Sequence, residues 1–298
     1  MRGISAGKGH RNMPSKIIIT SDSTTDLSPA LRERYGVQLM PLGINLNDKE
    51  YTDGIDIDPE MIYENYRRNK TLPKTAAPNL EDCSAFFRRF VEQGFSVVHF
   101  TISSEMSSTY QNSVIAAQDF DDVHVVDTQN LSTGGGLLVI RAAELAQKGL
   151  SAGEIARDCR ALAPFVDASF VIDSLEFLHK GGRCSGVAML GANLMNFKPC
   201  IVVKDGKMSV GKKYRGKFDQ VLMKYLADRV GDASDIVPDH VFITHAGCDD
   251  AVVDACLAKL KNLGDFKEIH VTRAGCTVSS HCGRNTLGVL FIRTHPIN

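Results

Sequence analysis

Neither sign of charge prevails in this sequence. Its 34 basic and 35 acidic side chains leave a net charge of -1, so no global field recruits nucleic acid or an anionic membrane. Any ligand has to be recognised locally. The cysteines, at 83, 159, 184, 200, 248, 256, 276 and 282, include no C-x-x-C pair, and their sparse spacing excludes the dense framework of a disulfide scaffold. They read as reduced, mostly buried thiols of a cytoplasmic protein. No apolar run approaches the ~18 residues that span a bilayer, and the N-terminus lacks the apolar core of an export signal. The chain therefore reads as soluble. A nucleotide site is missing too. GISAGKGH, residues 3–10, imitates a phosphate-binding loop, but its first glycine spacing is one residue short. Gly9 stands where Ser or Thr would hold magnesium, and no strand precedes it.

What is present is an ordinary globular composition, 43% hydrophobic and 23% charged, so the chain has the means to bury a core. At 298 residues it exceeds the length at which single cores tend to split, which predicts two domains. Residues 1–14 read as a disordered leader, with Met13 a plausible alternative start. The first half, 15–165, alternates short β-branched runs with amphipathic helical segments. Ser28-Pro29, Asp58-Pro59 and Asn79 stand as helix starts, and Gly36 and Gly94 as stops. This alternation predicts a parallel sheet covered by helices. After residue 166 the texture changes: PCIVVKDGKMSVGKKYRG reads as a hairpin turning at Asp205-Gly206, which predicts a mixed-sheet α/β domain over 166–298.

In parallel α/β sheets ligands gather beyond the carboxyl ends of the strands. TISSEMSSTYQNS, residues 101–113, begins at such a strand end and is crowded with hydroxyls. Ser103 and Ser104 beside a helix starting near Ser107 would make an anion site. Plain helix capping accounts for many of the same residues. Four further segments share this character: SDSTTD (21–26), the Pro-bounded LPKTAAPN loop with Thr75, HKGGR (179–183) with Lys180 and Arg183, and SSHCGRNTLG (279–288), a loop with His281. Each also has an ordinary reading as a turn, a cap or a satisfied loop histidine.

In order along the chain, IIITSDSTTDL, P-K-T-A-A-P, TISSEMSSTYQNS, VVDTQNLSTGGG, HKGGR and the His281 block resemble the DegV family of bacterial lipid-binding proteins. The resemblance spans about residues 16–293. It implies a two-domain α/β protein with a long-chain fatty acid in the cleft between its domains. The carboxylate would be held by the hydroxyls of Thr75, Ser103 and Ser104, with Arg183 and His281 at the headgroup end. It further implies a non-catalytic carrier with no cofactor, serving bacterial fatty acid kinase. There a separate ATP-binding kinase subunit would phosphorylate the bound acid for phospholipid synthesis. Transient contact with a membrane surface is compatible with that role. Two departures from the family's pattern stand out: Ala76 and Ala77 replace polar residues after Thr75, and Arg284-Asn285 interrupts the late block.

The physics permits such a ligand. A buried carboxylate needs good donors or a cation, and a cationic His281 or Arg183 would help. The tail contributes more, at about 0.8 kcal/mol per methylene or roughly 11 kcal/mol for fourteen, before ordering costs. VAMLGANLMNF and FFRRFVEQGF supply apolar surface, although core packing is their simpler role. The rival reading is a hydrolase of the same architecture acting on a lipid ester, with Ser104 as nucleophile and His281 as base. It lacks the G-x-S-x-G turn. A metal site from His245, Cys248, Cys276, His281 and Cys282 fits no common zinc spacing.

Overall fold

The computed structural model describes residues 16–185 and 197–297. The predicted leader, and residues 187–196 of the apolar VAMLGANLMNF segment, lie outside that range. The first half runs β1 (Lys16–Asp22), α1 (Pro29–Tyr35), β2 (Gln38–Met40), β3 (Gly43–Leu46), β4 (Lys49–Thr52), α2 (Pro59–Asn69), β5 (Lys74–Ala76), α3 (Leu80–Val91), β6 (Phe95–Thr101), α4 (Thr109–Ala117), β7 (Val123–Asp127), α5 (Thr133–Gln147) and α6 (Ala152–Leu162). The second runs β8 (Val166–Ile172), α7 (Glu176–Gly181), β9 (Cys184–Ser185), β10 (Phe197–Lys204), β11 (Lys207–Arg215), α8 (Phe218–Val230), β12 (His240–Ala246), α9 (Asp250–Lys261), β13 (Glu268–Arg273), α10 (Cys276–Cys282) and β14 (Thr286–Ile292).

The helix starts follow the predicted chemistry. Ser28 accepts from Leu31 N, Asp58 from Met61 N, and Asn79 forms a reciprocal capping box with Asp82, each satisfying an amide that the first turn leaves orphaned. Strands β2-β1-β6-β7 pair in that order, all parallel. The second half forms a mixed sheet in the order β13-β12-β14-β8-β10-β11-β9. Its β10–β11 hairpin turns at Asp205 (φ 50°) and Gly206 (φ 75°), the left-handed pair that a two-residue hairpin needs. The fold is thus α/β, with a parallel sheet in one half and a mixed sheet in the other.

Three short elements depart from the sequence reading. VQLMPLGINL, residues 37–46, reads from its composition as one extended run, but it is two strands in different sheets, because Pro41 has no N–H with which to continue the ladder. Its second part, β3, pairs with β4 and with β5, so Thr75 lies on an edge strand opposite Ile44 and not in a loop. The segment before the last strand forms helix α10, which carries His281 in its final turn.

The largest core cluster draws on both halves. It joins Val98, Phe100 and Val126 of the parallel sheet through Leu138 and Ile140 of α5 to Phe170, Ile201 and Phe242 of the mixed sheet. Helix α5 is apolar nearly all round, as a helix wedged between two sheets has to be.

Candidate ligand cavity between the two sheets

Strand β6 delivers its loop to the place where the two halves meet. Ile102 N donates to Asp22 Oδ2 at 2.7 Å, and Ser103 N to Asn130 O at 2.9 Å. The Ser103 hydroxyl is fully buried and donates to Gly206 O at 2.7 Å, while Glu105 pairs with Lys207 at 3.2 Å. The loop therefore grips the tip of the β10–β11 hairpin. Helix α4 starts two residues later than predicted, at Thr109. Ser107 Oγ accepts from Thr109 N at 3.2 Å, whereas Ser108 at the N-cap position makes no side-chain capping bond.

Helix α10 is held from the first half by two acids. Asp26 accepts from Gly275 N at 2.8 Å; Asp53 accepts from Cys276 N at 2.9 Å, from Thr277 N at 3.2 Å and from the Thr277 hydroxyl at 2.6 Å. Carboxylates at orphaned N-terminal amides are the favourable arrangement for a helix. Burial nevertheless pushes the Asp26 carboxyl up to about 8 and that of Asp22 to about 6, against the pull of their hydrogen bonds. The consequence of this anchoring is positional. It aims His281, one helix length further on, at β5, where its Nε2 lies 3.0 Å from Thr75 Oγ1.

Thr75 and His281 stand on the wall of a cavity of about 170 Å³. Ser107, Ser108, Arg183 and Thr277, whose hydroxyl is already given to Asp53, complete its polar part; Ile102, Met106, Leu131, Phe170, Leu178 and Met208 are among its apolar walls. Leu131, Phe170, Val278 and Cys282 also line a second, smaller cavity of about 30 Å³, which reaches Ala168, Gly288 and Leu290 of the mixed sheet. The four shared residues make the link between the two cavities largely apolar. Helix α7 backs His281 closely: a Cβ on Gly181 would lie 2.5 Å from His281 Nδ1. That is why HKGGR places a glycine there.

The structure thus brings three of the five predicted site residues, Thr75, Arg183 and His281, to one cavity. Ser103 and Ser104 are not on its wall. The Ser103 hydroxyl is spent on the hairpin tip, and Ser104 is exposed with its N–H on Asp127 Oδ1 at 3.3 Å. The hydroxyls at the cavity are Ser107 and Ser108 of the same stretch, and only the true start of α4 separates the two pairs. Burial, and then the Arg183 charge, lower His281 to about 4. It is therefore neutral near pH 7, and Arg183 is the cation at the cavity wall. Among the described residues no hydrogen bond joins Ser104 to His281, so the nucleophile and base of the hydrolase reading are not brought together. Nor do His245, Cys248, Cys276, His281 and Cys282 gather as metal ligands among the described residues. All eight cysteines are buried. No helix among the described residues is long and apolar enough to cross a membrane.

A family model described as an uncharacterised protein of the DegV family matches residues 16–294. The chain belongs to the DegV family. A DegV domain-containing protein of Deinococcus radiodurans is 32% identical over 92% of this chain and 97% of its own length. Among solved structures, a DegV family protein from Thermus thermophilus, described as binding fatty acid, is 30% identical. It superposes with a TM-score of 0.84 over 93% of this chain and 99% of its own. A stearic-acid-binding protein from Eubacterium ventriosum is 27% identical with a TM-score of 0.79, over 93% and 98% of the two chains.

Two departures of this DegV chain can now be placed. Ala77 lies on the cavity wall beside Thr75, so the site has less polar surface there. Arg284 reaches Gly247 O at 3.2 Å and Glu60 at 3.6 Å, so it braces helix α2 and is not a wall residue of the cavity.

Proposed function

We propose that this chain binds one long-chain fatty acid, its carboxylate among Thr75, Ser107, Ser108, His281 and Arg183 and its tail directed inward past Phe170. The observation that carries this reading is the make-up of one cavity wall. Thr75 and His281, 3.0 Å apart, share it with Ser107, Ser108 and one guanidinium and with apolar side chains; four of its residues, Leu131, Phe170, Val278 and Cys282, also line the second cavity. Relatives of the same fold and nearly the same length are known by the fatty acid they bind.

The division of labour follows from magnitudes. Burying methylenes contributes about 0.8 kcal/mol each, so the tail dominates affinity. The polar residues decide which end stays out. Met106 and Met208 give the wall side chains that adapt to a flexible chain. A carboxylate among hydroxyls alone would be poorly compensated. Arg183 supplies the charge and Thr75 a hydroxyl donor, with neutral His281 as hydrogen-bonding partner.

Ser108 and Arg183 are exposed, so a carboxylate beside them stands where a second protein can reach it. We infer that the chain is a carrier and not itself the phosphotransferase. A separate ATP-binding kinase subunit would let a carboxylate oxygen attack the γ-phosphorus of ATP, breaking its bond to the β,γ-bridging oxygen and releasing ADP, to give an acyl phosphate for phospholipid synthesis. The test is extraction of the protein purified from a bacterial host, followed by mass spectrometry. One fatty acid per chain is expected, reduced by Thr75→Ala with His281→Ala. A lipid-free protein whose thermal unfolding does not respond to added oleate overturns the reading.

A further inference from the structure

The parallel pairing of β12 with the edge strand β13 sets His240 opposite Glu268 and Phe242 opposite His270. Because side chains alternate along a strand, His240, Glu268 and His270 share one face. His240 Nδ1 lies 3.1 Å from His270 Nε2, His270 Nε2 lies 3.8 Å from Glu268 Oε2, and one ligand atom from each of the three falls within 4.8 Å of the others. On the other side of its ring, His240 Nε2 lies 3.0 Å from Glu144 Oε1 of α5. None of these residues is on the wall of the lipid cavity, and nothing in the proposed carrier role uses them.

We propose that His240, His270 and Glu268 form a binding site for a divalent transition-metal ion of the Zn²⁺ class, with Glu144 as the carboxylate that orients His240. A carboxylate accepting the Nε2 proton fixes the imidazole tautomer and leaves the Nδ1 lone pair facing His270. This is the usual support of a metal-bound histidine. Zinc–nitrogen bonds of about 2.0–2.1 Å in tetrahedral geometry set two imidazole nitrogens roughly 3.3 Å apart. The observed separation is close to this, and Glu268 needs only a small rotamer adjustment to close the third side. Two imidazoles and one carboxylate suit Zn²⁺, Ni²⁺ or Cu²⁺, whereas Mg²⁺ and Ca²⁺ take oxygen ligands.

The surroundings are consistent with loading. Arg34 forks onto both oxygens of Glu268 at 2.6 and 2.8 Å. An ionised carboxylate has about four acceptor positions, so the fork fixes its orientation and leaves lone pairs for a metal. A cavity of about 300 Å³ adjoins His240 and Glu144, with Arg141, Asp158 and Asp239 also on its wall. The competing arrangement is a simple hydrogen bond in which one ring donates to the other. It needs no metal and would leave the site indifferent to Zn²⁺.

The deciding experiment titrates the full-length, chelator-treated protein with ZnCl₂ by calorimetry and counts bound metal by mass spectrometry. The wild type is expected to take up one equivalent, and His240→Ala and His270→Ala should each weaken uptake by more than a hundredfold. Glu144→Gln should weaken it by about ten- to a hundredfold. Co²⁺ in the same site should show the visible absorption of a low-coordinate N/O complex. Should either alanine variant unfold, the wild-type titration and Glu144→Gln still decide the matter. No Zn²⁺ uptake by the wild type, or uptake unchanged in Glu144→Gln and His270→Ala, overturns the proposal. So does stoichiometric preference for Mg²⁺.

Discussion

The loop after β1, residues 23–26, and the loop after β6, residues 102–108, leave adjacent strands of one sheet with similar hydroxyl-rich compositions. In the first, every polar side chain is consumed by the fold. Ser23 donates to Asp53 at 2.9 Å, Thr24 to Asp22 at 2.6 Å, Thr25 is 2.9 Å from Ser21, and Asp26 holds Gly275. In the second, Ser103 is consumed in the same way and Ser107, though on the cavity wall, is shared with Thr109, 2.8 Å from its hydroxyl, whereas Ser108 stands on the wall and caps nothing. A hydroxyl paired inside the fold positions structure; a hydroxyl at a cavity with a helix start behind it is ready for an anion. The first loop builds the mount for His281, and the second supplies part of the surface that a ligand would meet.

Removing the mount gives the largest expected effect. Asp53→Ala deprives two buried amides and two hydroxyls of their acceptor, and each orphaned buried group costs about 1–3 kcal/mol. A loss of at least about 3 kcal/mol in urea unfolding is expected, with lipid content falling because α10 carries His281. If the unfolding midpoint and lipid content both hold, α10 is not anchored in this manner.

Next in size is Gly181→Ala, which disturbs the same histidine from the other side. The added methyl has to displace the His281 ring, and overpacking of this kind costs about 1–3 kcal/mol. Since 1.4 kcal/mol is tenfold in a binding constant, oleate affinity should fall about tenfold or more, while Lys180→Ala one residue earlier should change little. Equal effects in the two variants would mean that His281 is not positioned by this contact.

The first loop also predicts a pH signature that the second lacks. The Asp26 carboxyl, near 8 when folded, binds a proton that the unfolded chain releases near 3.8, so the folded state holds more protons between those values and stability falls as pH rises through that window. Below pH 6.5 the lowered His281, near 4, and His99, near 3, act in the opposite sense. Their contribution, with that of His245 and His270, which are lowered in the same direction, is lost as pH falls through the ordinary imidazole range, so the two senses overlap near neutrality. The Asp26 part is therefore read as the difference in unfolding free energy between wild type and Asp26→Asn. That difference should decline by at most about 1.4 kcal/mol per pH unit between 6.5 and 8.

How much of this was legible in the sequence differs between the same two kinds of region. Helix starts with a local code, Ser28-Pro29, Asp58-Pro59 and Asn79-x-x-Asp82, read correctly because their physics lies within four residues. The alternation of strands and helices gave the α/β class, and Asp205-Gly206 gave the hairpin. The resemblance named the DegV family, and Thr75, Arg183 and His281 do share one cavity. Which serines stand on the cavity wall was not legible, because the Ser103 hydroxyl is engaged by Gly206, a hundred positions away. Helix α10 was missed because its seven residues are capped by acids from the other half. The neutrality of His281 likewise depends on burial that no local motif encodes.

The smallest predicted effect is the cleanest discriminator between the loops. Ser108→Ala removes a hydroxyl that caps nothing, so stability should be unchanged within about 0.5 kcal/mol, the usual scale for a surface substitution. If that hydroxyl donates to the carboxylate, losing a hydrogen bond to a charged group costs about 1.5–3 kcal/mol at most, and less at a site open to water. A drop of a few-fold to tenfold in oleate affinity is then expected from fluorescence displacement. Ser104→Ala, four residues earlier on the exposed side of the same loop, should leave affinity and stability both untouched. A larger loss from Ser104 than from Ser108 would reverse the assignment and return the carboxylate to the strand end, in spite of the cavity's position.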